Sequence, residues 1–187
     1  ASGLLGTGGD VSLASGATIE FIDGRASFVV DGGSLVTEGE VLVRDIYAPG
    51  TGTAGAVYVR EGSLQTEPGL RIERVGGLAL GTDAPRKLSL NGVSVADACL
   101  LYPEGWPAVA LQNGEAGSQS VTGLSIESVN CVGLFLYNTD ASLEEVRVSG
   151  ARAVGVDIRG ASPTFVGLDV QDTDGGVAGV GLGLQAT

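Results

Sequence analysis

The sequence predicts an all-β fold, a single-stranded parallel β-helix (solenoid) with about 22 residues per coil. Three observations carry this expectation. Apolar residues recur at a fixed spacing, they alternate with polar ones inside each copy, and Gly, Asn, Asp, Ser or Pro punctuates nearly every gap between the alternating runs.

The N-terminal coils, 11–75, follow a less regular period. VSLASGATIEF, SFVVDGGSLVTEGEVLV and AVYVREGSLQTEPGLRIERV each contain alternating segments, and GGSLVTEG (Gly32 to Gly39) returns as EGSLQTEPG (Glu61 to Gly69) 29 positions later. The stretch IYAPGTGTAG between them suits an irregular excursion, because its Gly residues and Pro49 break regular backbone. Residues 77–187 form the regular part. Leu78, Leu80, Val93 and Val95 give a first two-strand figure, followed by the excursion LLYPEGWPA at 100–108. Val109 to Leu111 opens the next copy, which needs a three-residue insertion in NGEAGSQS before Leu124 and Ile126 fall 22 positions ahead of Val146 and Val148.

From there the copies align without a gap. Cys131 to Arg152 reads CVGLFLYNTDASLEEVRVSGAR and Ala153 to Asp174 reads AVGVDIRGASPTFVGLDVQDTD, so Leu134 falls on Val156, Leu136 on Ile158, Val146 on Leu168 and Val148 on Val170. Gly133 meets Gly155. The same step carries Val156 to Ala178 and Ile158 to Val180, which makes GGVAGVGLGLQAT a third, shorter copy. A period of two means strands, with those apolar side chains on one face and Phe135, Arg147, Asp157 and Asp169 on the other. A unit this short cannot bury its own inner face. Stacking copies at about 4.8 Å per rung, each strand pairing in parallel with its counterpart, builds one aliphatic core. A competing reading makes Asp140 to Gly150 a short helix, capped by Asp140 with Glu144 and Glu145 in its first turn. The same slot holds a strand in the other copies, so a strand is expected.

Composition excludes several functions. The chain has 187 residues, 32 of them Gly, no His, no Met and a formal charge of -12. Without His there is no His-based triad, His-ligated zinc or His proton shuttle. One Lys and scattered Arg against 22 acidic residues leave no basic patch for a phosphate backbone, so no nucleic-acid partner is expected. Apolar runs such as Val132 to Tyr137 are far shorter than the ~20 residues of a spanning helix, and no membrane insertion is expected. A chain that starts at Ala1 and holds no Met is read as one domain, 1–187, belonging to a longer chain or assembly.

Cys99 and Cys131 lack metal-ligand spacing. With the excursion discounted, they lie one residue out of register on neighbouring coils, where a disulfide would staple the loop base; a buried free pair is the alternative. A disulfide would imply an oxidising, extracellular or cell-surface location.

The unit with paired aliphatic residues, an Asn-bearing turn and Gly before the next strand resembles the right-handed parallel β-helix repeat of the pectate-lyase-like superfamily. The resemblance implies a right-handed solenoid. It does not imply one function, because that superfamily contains lyases, hydrolases, tailspikes and adhesins. Asn138, Thr139 and Asp140 resemble the NTD element of its polygalacturonase-type hydrolases, but the paired-Asp, Gly-His-Gly and Arg-Ile-Lys elements are absent. Asp140, Asp157, Asp169 and Arg147 are the catalytic candidates, Arg147 lying one coil before Asp169 at the aligned outward position. Asp169, Asp172 and Asp174 are candidate ligands for calcium, the metal such enzymes use; otherwise no cofactor is expected. Trp106, with Tyr102 and two prolines around it, is the candidate binding residue for sugar stacking or protein docking, or else a local cover over the core.

The reading drawn from these residues is a secreted or cell-surface module with a structural, adhesive or ligand-presenting role rather than an enzyme. A polysaccharide lyase or glycoside hydrolase is one alternative. The other is end-to-end assembly with another protein chain, since Val11 and Leu184 lie in strands without a polar cap. Carbohydrate is the expected small partner.

Overall fold

The structure, a computed structural model, describes residues 4–23, 28–47, 55–101, 106–174, 177–180 and 185–186. Strand is the regular element throughout these residues, with no helix among them. The Asp140 to Gly150 segment forms the strand Ser142–Ser149, with Leu143, Val146 and Val148 buried. A helix is not formed there because each half of the segment is held in a ladder, Leu143 against Val121 and Phe165, Val148 against Ile126 and Val170. Glu145, between the halves, bends the strand at φ 53.

The ladders are parallel, as stacked copies require. One sheet of eight strands runs in chain order through Leu4–Thr7, Phe28–Asp31, Gly55–Arg60, Leu78–Asp83, Pro107–Gln112, Val132–Tyr137, Val156–Arg159 and Val177–Val180. The second sheet has two limbs that join in the Ser142–Ser149 strand, whose first half pairs with Gln119–Thr122 and second half with Ser125–Glu127. Most passes of the chain therefore contribute three strands, one to the first sheet and one to each limb. The arrangement is β-helix-like.

The core follows from register. Val57, Leu80, Val109, Leu134 and Val156 are successive partners in the first sheet, and Val43, Ile72, Val95, Ile126 and Val148 in one limb of the second. These ten belong to one continuous cluster, none more than 2% exposed. Burying an aliphatic side chain of this kind stabilises by about 1.5–3 kcal/mol, so each rung contributes several kcal/mol before the entropy of ordering it.

The expected alignments of Leu134 with Val156, Leu136 with Ile158, Val146 with Leu168 and Val148 with Val170 hold residue for residue. GGSLVTEG and EGSLQTEPG also stack, Ser34 on Ser63, Leu35 on Leu64 and Thr37 on Thr66. A uniform period of 22 does not hold. Partners in the first sheet are 29 positions apart at Phe28 and Val57, 25 at Val109 and Leu134, 22 at Leu134 and Val156, and 21 at Val156 and Val177. The last of these corrects the expected pairing of Val156 with Ala178 and Ile158 with Val180: the partners are Val177 and Gly179. That pass is one residue shorter than the one before it, and a one-residue slip exchanges the two faces of a strand. Residues 48–54, where the IYAPGTGTAG excursion was expected to peak, lie outside the described residues.

Corners between strands are built from columns of left-handed residues. Glu61, Ala84, Asn113 and Asn138 occupy one corner in successive passes at φ 51, 46, 52 and 47. Each donates its backbone N–H to the carbonyl that precedes the next corner, for example Asn113 to Tyr137 at 2.9 Å and Asn138 to Arg159 at 3.0 Å. Gly133 is needed for a different reason: a Cβ there would stand 2.5 Å from Val148 Cγ1 and 2.6 Å from the Gly155 carbonyl oxygen.

Candidate ligand cleft

Because Leu134, Leu136, Val156 and Ile158 face the core, alternation sends Phe135, Tyr137, Asp157 and Arg159 outward. Register then places Phe135 beside Asp157 and Tyr137 beside Arg159 on adjacent strands. The two rings stack at 6.1 Å between centroids with 12° between planes, and the Arg159 guanidinium lies over Phe135 at 5.5 Å. Arg159 Nη2 and Nε donate to Asp157 Oδ2 and Oδ1 at 2.7 and 3.2 Å. Its hydrogen bonds to the Asp157 carboxylate raise the pKa of Arg159, which stays a cation. Asp157 is 7% exposed.

The opposite wall comes from the preceding pass. Pro107 pairs with Val132, which brings Trp106 alongside. Trp106 is half-buried against the core edge and also lines the surface, so it serves as both cover and wall. Trp106, Pro107, Val132, Phe135, Asp157 and Arg159 enclose a cleft of about 150 Å³. The disulfide Cys99–Cys131 anchors it from beneath: both cysteines are fully buried, their Cα atoms are 5.9 Å apart, and Cys131 immediately precedes Val132. Two larger depressions, of about 270 and 320 Å³, have no aromatic residue among their described linings.

The cleft unites Trp106 with Asp157, two of the sequence candidates. The others lie elsewhere. Asp140 accepts the Ser162 backbone N–H at 3.0 Å, one pass on, and Asn138 donates from Nδ2 to Asn113 Oδ1 at 3.3 Å. In this structure the NTD element therefore builds a corner. Arg147 stacks on Asp169 with 3.7 Å between Nε and Oδ2, an exposed pair of the kind worth about 0–1 kcal/mol. Asp169 also accepts two hydrogen bonds from Gln171 Nε2, at 2.8 and 2.9 Å. Asp172 sits at a left-handed corner with φ 50, and Asp174 donates its backbone N–H to the Ala151 carbonyl. Among the described residues no three His, Cys, Asp or Glu are grouped to hold a metal ion, so Asp169, Asp172 and Asp174 are not drawn together. Tyr102 lies outside the described residues.

Sequence reasoning missed Phe135, Tyr137 and Arg159. The signal was available in the gapless alignment, which stacks two outward aromatic residues on an outward Asp and Arg. Compared with protein-family models, curated proteins and solved structures, the chain gives no match in any of the three.

Proposed function

We propose that this chain is a non-catalytic, ligand-presenting module that works outside the cytoplasm and takes carbohydrate in the Trp106 cleft. We further propose a closed, right-handed parallel β-helix of the pectate-lyase-like kind. Handedness is supported by the strong preference of parallel strand–connection–strand units within one sheet for the right-handed crossover.

The observation that carries the functional reading is the composition of the cleft. Aromatic residues from two passes, Trp106 and Phe135, line the cleft, and an ion pair of the Asp157 carboxylate and the Arg159 guanidinium rims it. Concave sites that combine apolar walls with a few fixed polar groups are where small ligands bind. Glycoside hydrolysis ordinarily needs two carboxyl groups across the bond, and among the described lining residues Asp157 is the carboxylate, already held by Arg159. Binding without cleavage fits that set. The buried disulfide supports an oxidising compartment.

A glycan-binding screen with wild-type chain and Trp106→Ala tests the proposal. The expected result is retention on one or more glycans, lost in the variant, with no new reducing ends after prolonged incubation. Retention unaffected by Trp106→Ala, or cleavage of the retained glycan, overturns it.

A further inference from the structure

We infer that the cleft selects a neutral pyranose ring, read through two adjacent hydroxyl groups by the Asp157–Arg159 pair. This rests on the carbohydrate reading above and adds the ligand's charge and the specificity residues.

The hydrogen-bond inventory of the pair is only half used. Arg159 spends Nε and one N–H of Nη2 on Asp157, which leaves the Nη1 edge and the second Nη2 hydrogen to donate. Its side chain is 58% exposed and lines the cleft, which leaves those donors open to a ligand. Each oxygen of Asp157 accepts one bond from Arg159 and keeps a further lone pair. A donor edge next to an acceptor edge matches two neighbouring hydroxyls, one accepting from Arg159 while the other donates to Asp157. The two residues lie on one strand in register with Phe135 and Tyr137, and because the Arg159 guanidinium already covers Phe135, a ring gripped by its hydroxyl edge lays its apolar face towards Trp106.

Charge decides among sugar classes. The pair is internally neutral, and the chain around it carries -12. An anionic sugar meets a guanidinium already engaged by a carboxylate, inside a field that repels it. A cationic amino sugar is drawn by that field but meets at the rim the Arg159 guanidinium, 58% exposed against 10% for Asp157. The neutral ring meets neither penalty. Size limits the grip to one ring, since about 150 Å³ is well below the ~300–1,000 Å³ of pockets that enclose a whole drug-sized ligand. The rest of a longer glycan lies across the open outer face.

The chain has one Trp, so its emission reports on this cleft. Wild-type chain is titrated with neutral oligosaccharides (glucan, mannan and xylan fragments), with oligouronates and with oligomeric amino sugars, following Trp106 emission at low and moderate salt. The expected result is a saturable change with at least one neutral series, at least about tenfold tighter than with either charged series and insensitive to salt. Arg159→Gln and Asp157→Asn, each checked for an unchanged circular dichroism spectrum, are expected to weaken it about tenfold or more, the loss of a charge-assisted hydrogen bond. If one variant does not fold, the other carries the test. Tighter binding of a charged series overturns the neutral-sugar inference and leaves the carbohydrate reading standing. No response to any series overturns both.

Discussion

Arg74 grips Asp45 across one full pass of the chain, Nε to Oδ1 at 2.7 Å and Nη2 to Oδ2 at 2.8 Å, with both residues in the left-handed region at φ 54 and 56. Both lie within strands, Val41–Tyr47 and Leu70–Val75, whose backbone bends there, and Glu73 accepts a further bond from Arg74 Nη1 at 2.9 Å. Arg44 joins the same acidic group, donating to Glu20 at 2.7 Å. The irregular N-terminal passes, where the sequence period is weakest, are thus cross-linked by ion pairs along the outer face.

Acid should loosen this region first. Hydrogen bonds from Arg74 hold the Asp45 carboxyl below the usual carboxylate range, and Arg60 does the same to Asp31. A carboxylate with a lowered folded pKa stabilises the fold above its unfolded pKa, and this contribution is lost as pH falls through the folded value. Thermal melts are expected to show a falling Tm from about pH 5 down to about pH 2. Asp45→Asn should lower Tm at neutral pH and flatten that acid decline; an unchanged decline would remove Asp45 from the account.

Core and surface substitutions on neighbouring rungs should separate cleanly. Leu134→Ala removes a fully buried side chain from the stacked core and is expected to cost about 2–5 kcal/mol in urea denaturation. Arg147→Ala breaks an exposed pair with Asp169 and is expected to cost no more than about 1 kcal/mol.

The corner residues predict a reversed ranking of conservative changes. At φ 47, Asn138→Gly should be nearly neutral and Asn138→Ala should cost roughly 1–2 kcal/mol, because a Cβ without a local polar partner pays the left-handed penalty. Asp140→Ala should cost about 1 kcal/mol through the lost bond to Ser162. Neither Asn138→Gly nor Asp140→Ala should alter glycan retention, and a loss of retention would return the NTD element to a functional role.

Removing the staple should affect stability and cleft together. Cys99→Ser with Cys131→Ser is expected to lower stability by about 2–4 kcal/mol. Trp106 emission should shift at the same time, because Cys131 adjoins Val132 in the cleft floor. Retained emission and Tm would show that the loop base holds without the bond.

What could be read in the sequence tracks how tightly register constrains it. Leu134 above Val156 was legible because no insertion separates two passes whose buried face tolerates no slip. Ser34 above Ser63 was legible because the turn residues around them repeat as well. The pairing of Val156 with Val177 was not, since Ala, Val and Gly fill both faces there and offer no pattern to fix the frame. Gly, Asn, Asp, Ser or Pro was expected between the strands, yet Glu61 and Ala84 adopt the left-handed corner backbone; their N–H bonds to Asp83 and Gln112, not composition, hold that conformation. Half of the cleft was legible, because Trp106 stands out by rarity, whereas Phe135 and Arg159 matter through neighbours 22 positions away.

The unequal spacing of ladder partners has an engineering consequence. Val109 stands 25 positions before Leu134 and Leu134 22 before Val156, yet all three meet in one column with no break in the core. The added length is absorbed at turns such as Glu115 to Gly117, whose residues are exposed, so foreign peptides can be grafted there while the rungs on either side keep their partners. The chain is a ruler with fixed marks and adjustable tabs, and recognition can be added at the tabs without moving the marks.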